Sequence, residues 1–223
     1  MNTDANDIRI KSVIFDMDGV ISDTQILHSR IESEILRDYK INLAPEELTR
    51  RFAGVADVEM FTKIFSEAGR PAPDIQKIIE AKYLRMISPE VSVPEIPGTR
   101  EFIMQLRKMR IPLALASGSS LAFIRFVLQN LGLDDCFGAV ASSDEVENGK
   151  PAPDVFLLAA QRIGAGPATT LVIEDGASGM IAAEKAGMHC IALLTHLRAD
   201  ECPSSVYRAV DILTQVPLNI FER

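Results

Sequence analysis

The chain has 223 residues, 31 acidic against 23 basic side chains and a formal net charge of −8 at pH 7. That length suits one large domain or one domain carrying a smaller one. The acidic balance, with no basic block, excludes nucleic acid as the main partner, because its phosphates must be met by clustered Lys and Arg.

Apolar runs are broken by Arg, Lys, Gly or Pro before they reach bilayer length, so no membrane span is expected. Met1 to Ser12 is polar and carries no apolar signal region, which makes a cytoplasmic location the expectation. Cys136, Cys190 and Cys202 are odd in number and lack CxxC spacing. Neither a disulfide framework nor a structural zinc site follows, and reduced, partly buried thiols are expected.

In chain order, Lys11 to Phe15 reads as a buried parallel strand that ends in Asp16-Met17-Asp18-Gly19. Ligands of an open parallel sheet bind outside its carboxyl edge, which is where Asp16 falls. Two neighbouring carboxylates resist joint ionisation without a cation, and hard oxygen donors suit Mg²⁺. A plain acidic turn would carry the same residues.

Ser22-Asp23-Thr24 then caps a helix over Gln25 to Tyr39 with Leu27, Ile31, Ile35 and Leu36 on one face. Pro45 opens a second helix running to about Phe52 and stopped at Gly54. Val58, Phe61, Ile64, Phe65 and Ala68 form a third apolar stripe. Ile75, Ile78, Ile79, Tyr83, Met86 and Ile87 form a fourth. No strand interrupts these helices, so residues 21–92 are read as an inserted helical unit, returning through a proline-rich connector over 88–98.

From Thr99 helices and strands alternate. Helices are expected over Thr99 to Met109, Leu121 to Leu131, Pro153 to Ile163 and Ser178 to Ala186. Strands are expected over Pro112 to Ala116, Ala139 to Ala141, Thr170 to Ile173, His189 to Leu193 and, at the edge, Asp211 to Leu213. The fold class is α/β: a doubly wound parallel-sheet, Rossmann-like core from residues 1–20 and 93–223, with an inserted all-α domain.

Three further strand ends carry polar groups. Ser117-Gly118-Ser119-Ser120 offers hydroxyls and helix-opening amides to an anion, or simply an N-cap. Gly149-Lys150-Pro151 fixes an ammonium near a loop, where it could pair with Asp16 and a phosphoryl oxygen. Glu174-Asp175-Gly176 is a second acidic pair, which would repel the first unless a divalent ion joined them.

The ordered set Asp16-x-Asp18-Gly19, Ser117, Gly149-Lys150-Pro151-x-Pro153-Asp154 and Glu174-Asp175-x-x-x-Gly179 resembles the haloacid dehalogenase superfamily. Within it, the chain is similar to the helically capped branch of beta-phosphoglucomutase and sugar-phosphate phosphatases. The resemblance implies that Asp16 is a nucleophile forming an aspartyl-phosphate and that Asp18 is the acid/base. It further implies that Ser117 and Lys150 hold the phosphoryl group, and that Asp16, the Asp18 carbonyl, Glu174 and Asp175 hold Mg²⁺. Thr24, His28, Gly54, Gly118 and Ser119 are assigned to a small phosphorylated substrate, and a monomer or weak dimer is expected.

Some positions depart from the family. Gly176 stands where many relatives have Ser. The founding dehalogenases lack the second aspartate, so Asp18 favours phosphate chemistry. Asp57 stands where the mutase has a phosphate-gripping Arg, and a second gripping Lys would fall near Ile79. A site with Asp57 would repel a doubly phosphorylated sugar, which favours hydrolysis over phosphate shuttling, although Arg50 and Arg51 could compensate. A non-catalytic phosphoacceptor switch shares the strand-end acids, hydroxyl and Lys, but has no helical insertion.

Overall fold

The computed structural model describes residues 8–52, 57–71, 73–88 and 90–222. The chain divides into two compact units, one from Met1–Ser22 with Glu95–Arg223 and the other from Asp23–Pro94.

The first unit is built on six parallel strands, β1 (Ser12–Phe15), β2 (Leu113–Ser117), β3 (Ala139–Ser142), β4 (Thr170–Glu174), β5 (His189–Leu193) and β6 (Arg208–Val210). Their order across the sheet is β3-β2-β1-β4-β5-β6. Succession therefore runs outward from β1 in one direction and resumes on its other side at β4, which makes the β1/β4 boundary the point where ligands of such sheets bind. Every residue of β1 is buried, as a central strand covered on both faces requires.

Alternation along the strands sorts the two faces. Ile14, Ala114, Ala116 and Val172 pack with Val155, Phe156, Ala159 and Ala160 of α7 (Asp154–Arg162) and with Met180, Ala182 and Ala183 of α8 (Ala177–Lys185). On the opposite face Phe15 meets Phe102 of α5 (Thr99–Lys108) edge-on, with ring centroids 6.1 Å apart. Burying one such aromatic stabilises the fold by about 1.5–3 kcal/mol. The remaining α-helix of this unit, α6 (Leu121–Leu131), starts at Ser120, whose hydroxyl accepts the Phe123 N–H at 3.3 Å, and stops at Gly132 in the left-handed region.

The edge strand lies at Arg208–Val210, not at the expected Asp211 to Leu213. Arg208-Ala209-Val210 pairs with Ile191-Ala192-Leu193, while the Asp211 N–H is taken by the Gln215 side chain and Leu213 opens a 3-10 turn. Both stretches are short and equally apolar, so only the pairing to β5 decides between them. All three cysteines are free thiols, Cys136 and Cys190 being buried. Among the described residues no helix is long and apolar enough to cross a membrane.

The second unit holds α1 (Thr24–Asp38), α2 (Pro45–Phe52), α3 (Asp57–Glu67) and α4 (Ile75–Met86), with α1 packed on α2 and α4, and α3 on α4. Asp23 caps α1 by accepting the Ile26 N–H, and Asp74 caps α4 through the N–H groups of Gln76 and Lys77. The stripe on α1 is buried as expected at Leu27, Ile31, Ile35 and Leu36.

On α4 the buried line is instead Ile78, Lys82 and Met86, and Tyr83 and Ile87 are exposed. Val58 on α3 is exposed as well. Lys82 occupies an apolar position because its ammonium meets Glu32 at 2.7 Å and Asp57 at 2.6 Å, tying α4 to α1 and α3. Asp57 is thus paired with Lys82, a contact that the sequence reading did not include. Arg51 is also engaged, pairing with Glu47 at 3.2 Å and with Glu67.

Candidate active site

Period-two alternation carries Asp16 and Glu174 to the same side of the sheet as Ile14 and Val172, the side on which α7 lies. The two acids end adjacent strands, and the Asp16 N–H donates to the Ile173 carbonyl at 2.9 Å. Lys150, in the loop before α7, enters from that side. Its ammonium donates to Asp16 Oδ1 and, at 2.9 Å, to Glu174 Oε1. It also lies 4.7 Å from the Phe156 ring centroid, and the Lys150–Pro151 peptide is cis.

All three charged groups are sheltered, with side-chain exposures of 11% for Lys150, 6% for Asp16 and 4% for Glu174. Burial pushes the Asp16 carboxyl well above the usual carboxylate range. Lys150 pulls it down, and Glu174, Asp18 and Asp175 push it up again. Burial works against the Lys150 ammonium, but Asp16 and Glu174 outweigh it and hold its pKa above the ordinary lysine value.

Asp18 is gripped from the next strand. The hydroxyls of Ser117 and Ser119 donate to Asp18 Oδ2 at 3.0 and 3.1 Å, and the Ser119 N–H donates to Ser117 Oγ at 3.0 Å. Ser117, read from sequence as an anion holder, is thus turned to Asp18 in this structure. Gly118 is exposed beside it.

Glycines make room for the second acidic pair. A Cβ on Gly19, which has φ +76°, would lie 2.0 Å from Asp175 Oδ2, so the Asp175 carboxylate rests against the first acidic loop. A Cβ on Gly179 would lie 1.6 Å from Glu174 Oε1. At Gly176 the backbone N–H donates to Glu174 Oε2 at 2.5 Å.

The first unit thus brings Asp16, Asp18, Ser117, Ser119, Lys150, Glu174 and Asp175 together at the carboxyl rim. Thr24 and His28 lie on α1 of the helical unit, and Gly54 lies outside the described residues. Sequence reading missed Thr195 and His196, which follow β5 and touch Gly19 and Asp175. The signal was present, since they too are polar groups just past a strand's carboxyl end. It also missed Lys82, whose place on the apolar face of α4 was visible in its spacing from Ile78 and Met86.

Carboxylates gathered near Asp16 are the donor type that suits a hard divalent cation. Asp18, Glu174 and Asp175 each raise the cost of ionising Asp16, and added positive charge would offset that cost. Among the described residues no three acidic, histidine or cysteine side chains already form a cation-holding group. Lys150 takes an oxygen of Asp16 and one of Glu174, and His196 takes one of Asp175.

The profile of the haloacid dehalogenase-like hydrolase family matches residues 13–193. Hexitol phosphatase B of Escherichia coli K12 is 31% identical over 191 residues, covering 83% of this chain and 84% of the relative. Beta-phosphoglucomutase of Bacillus subtilis is 30% identical over 191 residues, covering 82% and 83%. Among solved structures, a variant of CbbY from Rhodobacter sphaeroides in complex with xylulose-1,5-bisphosphate superposes with a TM-score of 0.76. It is 25% identical, with 92% of this chain and 96% of that one covered. The strand order, the acids at the switch point and the matched span agree: this chain belongs to the haloacid dehalogenase-like hydrolase family.

Proposed function

We propose that the protein is a Mg²⁺-dependent phosphomonoester hydrolase that acts on a small phosphorylated metabolite, sugar phosphates foremost, through an aspartyl-phosphate on Asp16. The observation that carries this reading is the buried Asp16 carboxylate held by Lys150 at the sheet's switch point, with Asp18 beside it. The similarity to hexitol phosphatase B supports the substrate class.

In this reading a carboxylate oxygen of Asp16 attacks the phosphorus atom, and the bond to the sugar oxygen breaks. Asp18, held by Ser117 and Ser119, gives its proton to the departing oxygen. It then takes a proton from the water that attacks the acyl phosphate, releasing phosphate and restoring the Asp16 carboxylate. Lys150 holds negative charge on the transferring group. Ser117, Gly118 and Ser119 line the anion's place, and Thr24, His28 and Gly54 are assigned to the substrate from the helical cap.

Asp16, the Asp18 carbonyl, Glu174 and Asp175 would hold Mg²⁺. When bound, the ion supplies positive charge against the phosphoryl oxygens. The working form is assigned as a monomer or weak dimer, which light scattering in solution tests.

The likeness to beta-phosphoglucomutase sustains a second reading, a sugar phosphomutase. Hydrolysis is favoured because the cap cation Lys82 is already committed to Glu32 and Asp57 and is not placed to grip a second phosphate. The test is a panel of phosphorylated metabolites incubated with and without Mg²⁺, scored for both inorganic phosphate and isomerised sugar. Phosphate release that needs Mg²⁺ is expected. Isomerisation in the presence of a bisphosphate primer would move the assignment to the mutase, and no turnover of any phosphomonoester would overturn both.

A further inference from the structure

We propose that Thr195 and His196, in the loop after β5, are positioning residues that fix the Asp175 carboxylate against the Gly19 loop for cation binding. The inference rests on the reading of Asp175 as a Mg²⁺ ligand.

Three contacts close a triangle among chain segments far apart in sequence. The Thr195 hydroxyl donates to the Gly19 carbonyl at 2.7 Å. His196 Nδ1 lies 2.7 Å from Asp175 Oδ2. Asp175 in turn rests on Gly19, at the place a Cβ would occupy. The loop itself is anchored: the Leu194 N–H donates to the Val210 carbonyl of β6 at 2.9 Å, and the Thr195 N–H to the Leu193 carbonyl at 2.9 Å.

An aspartate on a loop has several side-chain rotamers, and a cation site needs one of them. A ring N–H on Oδ2 selects that rotamer, while the Thr195 latch keeps the loop carrying the ring in register with Gly19. The ring is not a core element. His196 is 35% exposed against 13% for Asp175, so the pair adds little to folding stability, and its consequence is orientation. Partners of this kind, one bond removed from a metal, typically govern affinity by about 10- to 100-fold.

The test measures Mg²⁺ binding to the substrate-free protein by titration calorimetry, with the melting temperature of the metal-free protein recorded alongside. His196→Ala is expected to weaken Mg²⁺ binding by about tenfold or more. Thr195→Val is expected to weaken it in the same direction. The metal-free melting temperature of His196→Ala is expected to stay within about 2 °C of wild type, as the exposure of the ring implies. His196→Asn, whose amide N–H can reach Asp175, is expected to recover most of the affinity.

Wild-type affinity in both His196→Ala and Thr195→Val would overturn the inference and leave the Mg²⁺ reading standing. A loss of affinity matched by a large fall in metal-free melting temperature would overturn it in favour of a purely structural role. A wild-type protein that binds no Mg²⁺ would remove the metal reading itself and the inference with it.

Discussion

Replacing Lys150 by Met removes the ammonium that Asp16 and Glu174 share and leaves both carboxylates in place. Their side chains are 6% and 4% exposed, so solvent cannot take over from the lysine. Removing one partner of such a buried arrangement costs about 3–5 kcal/mol. For a chain of this size each kcal/mol moves the melting temperature by about 2–4 °C, so the expected fall at neutral pH is about 6–20 °C.

The sign of the pH effect follows from the same contacts. Asp16 already has a raised pKa from burial, and loss of Lys150 raises it further, so the folded variant holds its proton more tightly than the unfolded chain. The deficit is therefore greatest above the raised pKa and shrinks as pH falls towards the ordinary aspartate value of 3.8. Thermal melts of metal-free wild type and Lys150→Met across that range measure both quantities. A variant melting within about 2 °C of wild type, against the several degrees a broken buried pair costs, would refute the reasoning. So would a deficit that does not shrink on acidification.

Gly19→Ala should lower the melting temperature, because a left-handed alanine costs about 1–2 kcal/mol. Phosphatase turnover should fall about tenfold or more, since its Cβ would displace Asp175 from 2.0 Å away; unchanged kinetics would contradict the packing described. Lys82→Met should destabilise the helical unit by about 3–5 kcal/mol, read as faster amide exchange in α1, α3 and α4. Exchange at the wild-type rate would show that the ammonium does not hold those helices together.

Glu32 has its pKa raised by burial, against the pull of Lys82. Its contribution is thus present below the ordinary value of 4.5 and is lost as pH rises through the raised value. The melting temperature of Glu32→Gln relative to wild type should therefore climb from about pH 4 to about pH 7, spanning the usual glutamate range, and a flat difference would contradict this.

Much of the fold was readable because its signals are local. The run Val13-Ile14-Phe15 marks a doubly covered strand, and Ser120 and Gly132 bracket α6 with the residues that caps require. The acids were readable through their position at strand ends, a rule tied to sheet topology more than to partners, and Lys150 through the prolines that follow it before α7.

What escaped depended on contacts across the chain. Thr195 meets Gly19 over a separation of 176 residues, and no local pattern announces that encounter. Lys82 sits where a helix wants an apolar residue, and only the acids of two other helices make its burial tolerable. The same contact gives Asp57 a partner that its own sequence neighbourhood did not announce. The edge strand was misplaced by three residues because its register to β5, which sequence does not encode locally, selects Arg208–Val210.

In the proposed reaction Asp16 is the group that receives phosphate. Rapid acid quench of the protein turning over a radiolabelled phosphomonoester, followed by peptide mapping, tests it. The label should sit on the Asp16 peptide as a hydroxylamine-labile acyl phosphate, and Asp16→Asn should carry no label and show no turnover. Label on Ser117 or elsewhere, or steady turnover by Asp16→Asn, would contradict the account.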